Sequence, residues 1–130
     1  MKKIKMFLVA LVVMLGLQGA VASAGGVSGP ELWVDGVFSA GVRLAWQSPA
    51  GNEAGFAVER GTDGVYFSPI AYGLEGKQYN PKTYYFIDSY VSNYGLERGG
   101  EYYYRVRAFK KSKSGTQFSS YSNVVSAKTF

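Results

Sequence analysis

Short runs of β-branched and aromatic residues, separated by Gly, Pro, Asn and Asp, recur along the chain from about residue 30 onward. In one of them Val42, Leu44 and Trp46 alternate with less apolar neighbours, and Tyr102–Phe109 is the longest run. This part of the chain keeps no apolar residues at the i, i+3, i+4, i+7 spacing of an amphipathic helix. The period of two therefore predicts an all-β fold.

Further strands are predicted between the same kinds of turn residue. An Asp63-Gly64 turn is typical of a tight hairpin, and Trp46 is predicted to lie at the centre of the core. With Val42–Trp46 and Tyr102–Phe109, the set makes seven strands with the spacing of an immunoglobulin-like antiparallel β-sandwich. The additional strands are Glu31–Val34, Phe56–Glu59, Val65–Phe67, Thr83–Asp88 and Ser122–Thr129.

The first 24 residues have the pattern of a cleavable export signal. Three lysines precede the 12-residue apolar run Met6–Leu17, and Ala22–Ala24 supplies a small-x-small cleavage site. The run is shorter than the ~20 residues of a membrane-spanning helix, which argues against the alternative of an uncleaved anchor. We expect cleavage after Ala24, a flexible lead-in at 25–29 and one domain at 30–130.

Removal of the signal changes the charge that the composition suggests. The chain has 14 Lys and Arg against 9 Asp and Glu, a formal net charge of +5, and three of the lysines lie in residues 1–24. The remainder carries 11 − 9 = +2, too little to predict a nucleic-acid partner. With no second long apolar stretch, we expect a secreted or periplasmic protein without a transmembrane segment after cleavage.

The segment Leu96–Ala108 (LERGGEYYYRVRA) resembles the Leu-x-Pro-Gly-Thr-x-Tyr-x-x-Arg-Val-x-Ala pattern of fibronectin type III domains. The resemblance implies a seven-stranded sandwich in which Tyr102 forms a tyrosine corner, Leu96 packs beneath it and Trp46 lies in the core. Such domains act as binding modules or spacers. Arg98 stands where the family has Pro, and Tyr90–Tyr94 is an insertion to which the pattern assigns no role.

The residue types exclude most catalytic chemistry. The chain contains no Cys and no His, so it has no thiolate nucleophile, Ser-His-Asp triad or imidazole metal ligand. The acids are expected apart from one another, with Glu59 pointing outward from a strand and Asp63 in a turn. For Asp88, at a strand end, the family resemblance implies a carboxylate that bonds a turn. We therefore expect no enzyme, and no catalytic, cofactor-binding or metal-binding residues.

Two surface features could bind a partner. Several tyrosines exceed what the core can absorb, and exposed Tyr is favoured in recognition surfaces, although Tyr also packs well on half-buried strands. Three lysines lie in a predicted loop between the last two strands, where they could meet an acidic polysaccharide, lipid headgroups or a protein, or simply be solvated. The candidate residues are Tyr85, Tyr90, Tyr94, Tyr103, Lys110, Lys111 and Lys113.

These observations predict a monomeric, non-catalytic, exported binding or adhesion module that contacts a protein or polysaccharide at the cell envelope or exterior. Two alternatives stay open. The chain could be a carbohydrate-binding module that uses exposed tyrosines, or a structural subunit that assembles through its edge strands.

Overall fold

The computed structural model describes residues 28–49, 53–74, 78–79, 83–92 and 94–130. The predicted export signal lies outside these residues, as does most of the lead-in. The described part contains nine strands and no helix. They are β1 (Glu31–Phe38), β2 (Gly41–Gln47), β3 (Gly55–Gly61), β4 (Ser68–Leu74), β5 (Gln78–Tyr79), β6 (Thr83–Ser89), β7 (Glu101–Ser112), β8 (Gly115–Phe118) and β9 (Val125–Lys128).

The strands form two antiparallel sheets. One sheet has four strands in the order β1-β2-β6-β5, and the other has β4-β3-β7-β9 with β8 paired to the far half of β7. The predicted antiparallel β-sandwich is therefore confirmed. The short strands β5 and β8 lie outside every predicted strand, and so does β4, which follows the predicted strand Val65–Phe67.

The core lies between the inward faces of the two sheets. Val42, Leu44 and Trp46 of β2 are fully buried, as their alternation predicts. The Trp46 ring meets Phe56 of β3 edge-on at 5.4 Å between ring centroids and stacks on Tyr84 of β6 at 6.3 Å. Trp46 thus contacts both sheets, because strands packed face to face interdigitate their inner side chains.

Tyr102 makes the corner that the family resemblance implies. Its ring is buried, and its hydroxyl accepts a hydrogen bond of 2.9 Å from the backbone N–H of Glu97. Leu96, the residue before Glu97, is buried in the same core as the Tyr102 ring. A Cβ on Gly100 would lie 2.9 Å from the Tyr102 ring, so the ring needs glycine at this position.

A buried ion pair links the two sheets and corrects the expectation for Asp88. Asp88 of β6 is fully buried, and within the described ranges its carboxylate bonds side chains of two strands and not a turn. Its Oδ2 accepts a 2.7 Å hydrogen bond from Arg60 of β3 and a 2.8 Å hydrogen bond from the Tyr104 hydroxyl of β7. The acid therefore closes one end of the core.

The predicted strand Val65–Phe67 is wrong. The Asp63 carboxylate accepts hydrogen bonds from the backbone N–H groups of Val65 (2.8 Å) and Tyr66 (2.9 Å), which folds this segment into a turn. Those same bonds, the one from Tyr66 foremost, hold the pKa of Asp63 below its ordinary value. Strand β4 accordingly begins at Ser68.

The predicted lysine loop is also different in the structure. Strand β7 continues through Lys110 and Lys111 to Ser112, and only Lys113 and Ser114 form the turn into β8. The final strand is shorter than predicted and starts at Val125. The lysines therefore lie on a paired hairpin and not on a loose loop.

Candidate binding surfaces

The outer face of the four-stranded sheet carries a row of two aromatic rings. Trp33 of β1 is in register with Ala45 of β2, which is in register with Tyr85 of β6. All three point away from the core, since Leu32 beside Trp33 is buried inward. Ala45 nevertheless has no exposed surface, which shows that its larger neighbours cover it.

A second row on this face contains two exposed apolar side chains. The Phe38 ring lies over Gly36, where a Cβ would come within 2.5 Å of it. Gly36 is in register with Arg43, and Arg43 with Ile87. Phe38 is 47% exposed and Ile87 is 51% exposed. We call the four large side chains of the two rows the apolar face: Trp33, Phe38, Tyr85 and Ile87.

Arg43 occupies the middle of the apolar face. Its Nε lies 2.9 Å from the Asp35 carboxylate, and its guanidinium carbon lies 4.6 Å from the centre of the Tyr85 ring. Sequence reasoning identified Tyr85 but missed Trp33. The signal was present, because an inward Leu32 requires its neighbour in the strand to point outward.

The outer face of the five-stranded sheet is built on arginines from β7. Arg105 pairs with Glu59 of β3 at 2.8 Å, and its guanidinium lies over Tyr121 at 3.7 Å and over Phe67 at 4.3 Å. The Tyr121 hydroxyl donates a 3.0 Å hydrogen bond to the same carboxylate. Burial is the main cause that raises the pKa of Tyr121. Glu59 points outward as predicted, but these neighbours bury it.

Arg107 has different surroundings. Its guanidinium lies 3.8 Å from the Phe118 ring centre and 4.7 Å from that of Tyr121. Among the described residues no carboxylate pairs with it, and its buried Nε has no hydrogen-bond partner. The residue in register with it on β3 is Ala57, which supplies no charge. Arg107 therefore keeps a positive charge that this surface does not neutralise.

Aromatic rings flank Arg107 on the same sheet face. Tyr72 of β4 stacks on Phe109 with 5.2 Å between ring centroids and 7° between planes, and Phe109 meets Phe118 at 6.2 Å. Alternation along β7 places Arg107, Phe109 and Lys111 on one side. We call this group the cation–aromatic strip: Tyr72, Arg107, Phe109, Lys111 and Phe118.

The predicted site residues are distributed over several surfaces. Tyr85 belongs to the apolar face and Lys111 to the cation–aromatic strip. Lys110 lies in β7, and Lys113 lies in the turn between β7 and β8. Tyr103 is half-buried at the far end of the same sheet, where its ring comes within 3.4 Å of a Cβ placed on Gly64. The structure does not bring the tyrosines into one site.

Tyr90, the first residue of the insertion at 90–94, packs against the sandwich. Tyr90 is half-buried against the core, its ring lies 4.0 Å from the Arg98 guanidinium, and its hydroxyl donates to the Phe130 carbonyl at 3.4 Å. Arg98 also donates to the Ser39 carbonyl at 3.2 Å, a contact that a Pro could not make.

Tyr94 is 43% exposed, and its backbone carbonyl accepts a hydrogen bond from the Arg60 guanidinium. Packing accounts for Tyr90, and the two tyrosines lie apart from Tyr85.

Within the described ranges, the His, Cys, Asp and Glu residues form no group of three that could hold a metal ion. The same ranges contain no helix with the length and apolar character needed to cross a bilayer.

No protein-family model matches the chain, and no curated protein matches it. Among solved structures it is similar to a β-1,2-glucanase from Parabacteroides distasonis, with 22% identity over 88% of this chain and a TM-score of 0.56. The match spans only 14% of the glucanase chain. The chain is also similar to a human fibronectin type III domain, from fibronectin type III domain containing protein 3. That match has 22% identity, a TM-score of 0.50 and coverage of 85% of this chain and 92% of that one. These matches show a fibronectin type III-like fold.

Proposed function

We propose that this protein is an exported, non-catalytic binding module that contacts a protein or polysaccharide at the cell envelope or exterior through its apolar face. The observation that carries the proposal is that Phe38 and Ile87 are about half exposed, at 47% and 51%, beside the rings of Trp33 and Tyr85. Large apolar side chains grouped on a solvent-facing sheet are typical of an interaction surface.

The fold supports a role in binding. Fibronectin type III-like sandwiches generally serve as binding modules, and a sandwich similar to this one forms part of a chain named as a β-1,2-glucanase. The core fills the space between the sheets, so the available surfaces are sheet faces and turns.

A carbohydrate-binding module is the second candidate, and the position of two rings favours it. Trp33 and Tyr85 stand two strands apart in register, which separates their backbones by about 10 Å at the usual strand spacing. Rings carried by strands at this spacing can each stack on a separate sugar of one glycan chain. Gln47 and Glu31, also in register at one end of this face, offer polar groups to sugar hydroxyls.

Affinity electrophoresis through gels that contain neutral polysaccharides tests this candidate, and sedimentation with an envelope fraction tests the wider proposal. We expect Trp33→Ala and Tyr85→Ala to weaken retention in at least one of these assays. Tyr66→Ala is the matched control, because it removes an aromatic side chain that is 78% exposed and lies outside the apolar face. Equal effects of the three variants, or no retention of the unmodified protein in either assay, would contradict the proposal.

Export is tested separately. Expression of the full chain in a bacterial host should give a protein outside the cytoplasm. Its mass, measured on the intact protein, should equal that of residues 25–130. Ala24→Arg should block cleavage, because the site requires a small residue. A cytoplasmic protein that retains residues 1–24 would contradict the export part alone.

A further inference from the structure

We propose that the cation–aromatic strip is a second binding site, on the sheet opposite the apolar face, for a polysaccharide whose sugars carry carboxylate groups. The site is independent of the proposed contact through the apolar face. It combines an unpaired guanidinium, flanking aromatic rings and a lysine-bearing hairpin.

The charge argument begins with the difference between two neighbouring arginines. Both point outward from β7 and stack on aromatic rings, but Arg105 is paired with Glu59 at 2.8 Å and Arg107 has no acid partner among the described residues. A guanidinium binds a carboxylate through a planar fork of N–H donors. The cation–π contacts of Arg107 with Phe118 and Tyr121 hold that fork in place without neutralising its positive charge.

The positive charge continues along the strand. Arg107, Phe109 and Lys111 follow one another at every second residue of β7, about 7 Å apart. Lys113 adds a further exposed cation at the turn of the hairpin. Phe109 itself is buried, and the rings of Tyr72 and Phe118 that contact it supply the exposed aromatic surface. The strip thus places charge beside rings, as a chain of acidic sugars places carboxylates beside rings.

The aromatic members favour a polysaccharide over other anions. Tyr72 is 59% exposed while its ring stacks flat on Phe109, and Phe118 is 37% exposed. An exposed ring can stack on the apolar face of a sugar, whereas a phospholipid headgroup offers charge without such a face. Nucleic acid is disfavoured because its affinity depends on many phosphate contacts, and the strip supplies few cations.

The test is affinity electrophoresis in gels that contain polygalacturonate, with dextran gels as the uncharged comparison. We expect polygalacturonate to retard the protein and added salt to reduce the effect. Arg107→Gln should weaken the apparent affinity about tenfold, the usual worth of one charge-assisted hydrogen bond. Arg107→Lys should show an intermediate loss, because it keeps the charge but not the planar fork.

Lys128→Gln is the matched control. It makes the same change in net charge on an exposed residue of β9, which pairs with the opposite end of β7. Thermal unfolding of each variant establishes that it is folded. Tyr85→Ala should leave polygalacturonate binding unchanged, which separates this site from the apolar face.

Three outcomes would overturn the proposal. They are no retardation by polygalacturonate, an equal loss in Arg107→Gln and Lys128→Gln, and binding to anionic phospholipid vesicles without binding to polygalacturonate. The second result would indicate attraction by net charge alone, and the third would assign the strip to a lipid surface.

Discussion

At the level of single residues, the contact between Arg60 and Asp88 joins the two sheets by charge. The Asp88 side chain has no exposed surface, the Arg60 side chain is 10% exposed, and the Tyr104 hydroxyl completes the group. A carboxylate in such surroundings is stable only while its donors remain, because burial removes the water that would otherwise solvate it.

Removal of Arg60 should therefore be costly. We expect Arg60→Met to lower the free energy of unfolding by about 3–5 kcal/mol, since it leaves Asp88 buried without its cation. Arg43→Met breaks an ion pair whose side chains are 41% and 31% exposed, and it should cost less than about 1 kcal/mol. Urea unfolding of the two variants measures both values. Similar losses in the two variants would show that the buried ion pair stabilises the fold no more than the exposed one.

The same group makes stability depend on alkaline pH. Burial, and then the charge and hydrogen bond of Asp88, raise the pKa of Tyr104 well above its ordinary value of 10.0. The folded protein keeps this proton while the unfolded chain releases it near pH 10, so the stabilising effect is complete below pH 10 and is lost as the pH rises beyond it. The free energy of unfolding should fall above about pH 10.

Tyr104→Phe isolates this contribution. The variant should be less stable at pH 8, because Asp88 loses a donor, but its stability should fall less steeply between pH 9 and 11. Urea unfolding over this range gives the two slopes. Parallel slopes would mean that Tyr104 does not contribute to the alkaline loss.

At the level of elements, two serines extend the pairing of β7 on the edge opposite β3, in the gap between β8 and β9. The backbone N–H of Ser119 donates to the Ala108 carbonyl at 2.9 Å, and the Ala108 N–H donates to the Ser119 hydroxyl at 2.9 Å. Ser122 makes the same pair of bonds with Val106, at 2.7 and 2.9 Å. The hydroxyls replace missing strand carbonyls, so the β7 edge stays paired between β8 and β9.

Loss of either hydroxyl should weaken this edge. Ser119→Ala and Ser122→Ala each leave a buried backbone N–H without an acceptor, which should cost about 1–3 kcal/mol. Ser126→Ala, at an exposed position of β9, should change stability by less than about 0.5 kcal/mol. Amide hydrogen exchange at Val106 and Ala108 should become faster in the matching variants. Unchanged exchange there would show that the serine contacts are dispensable.

At the level of the whole molecule, the remaining sheet edges bear on the alternative of assembly through edge strands. The Asn123 side chain pairs with both backbone groups of Leu32 in β1, at 2.9 Å each. Pro69 lies in the edge strand β4, and β5 has two residues. Capped, proline-containing and short edges resist strand addition.

We therefore expect the purified protein to be a monomer at micromolar concentration, as light scattering would measure. Large species would support the structural-subunit alternative. If large species appeared and assembled through β1, Asn123→Ala should increase their amount, because it removes the side chain that caps this strand. An unchanged size distribution would assign the assembly to another surface.

Period-two alternation predicted the inward residues well, as Leu44 and Trp46 show, because the side of a sheet that a residue occupies is a local property of the strand. It failed for Val65–Phe67, where strand-forming residues lie in a turn because the Asp63 carboxylate accepts hydrogen bonds from the N–H groups of Val65 and Tyr66. It also missed β8, whose residues are all exposed and whose strand exists because β7 pairs with it.

The candidate surfaces were predictable only in part for a related reason. Alternation could place Tyr85 and Arg107 on outer faces, but not beside Trp33 and Phe118, since those partners come from distant strands and turns. By itself the sequence determined a β-sandwich, its core residues and its lack of Cys and His chemistry. The tertiary structure decided which outward side chains meet and which charges are neutralised, because strand register and sheet order depend on contacts between residues far apart in the chain.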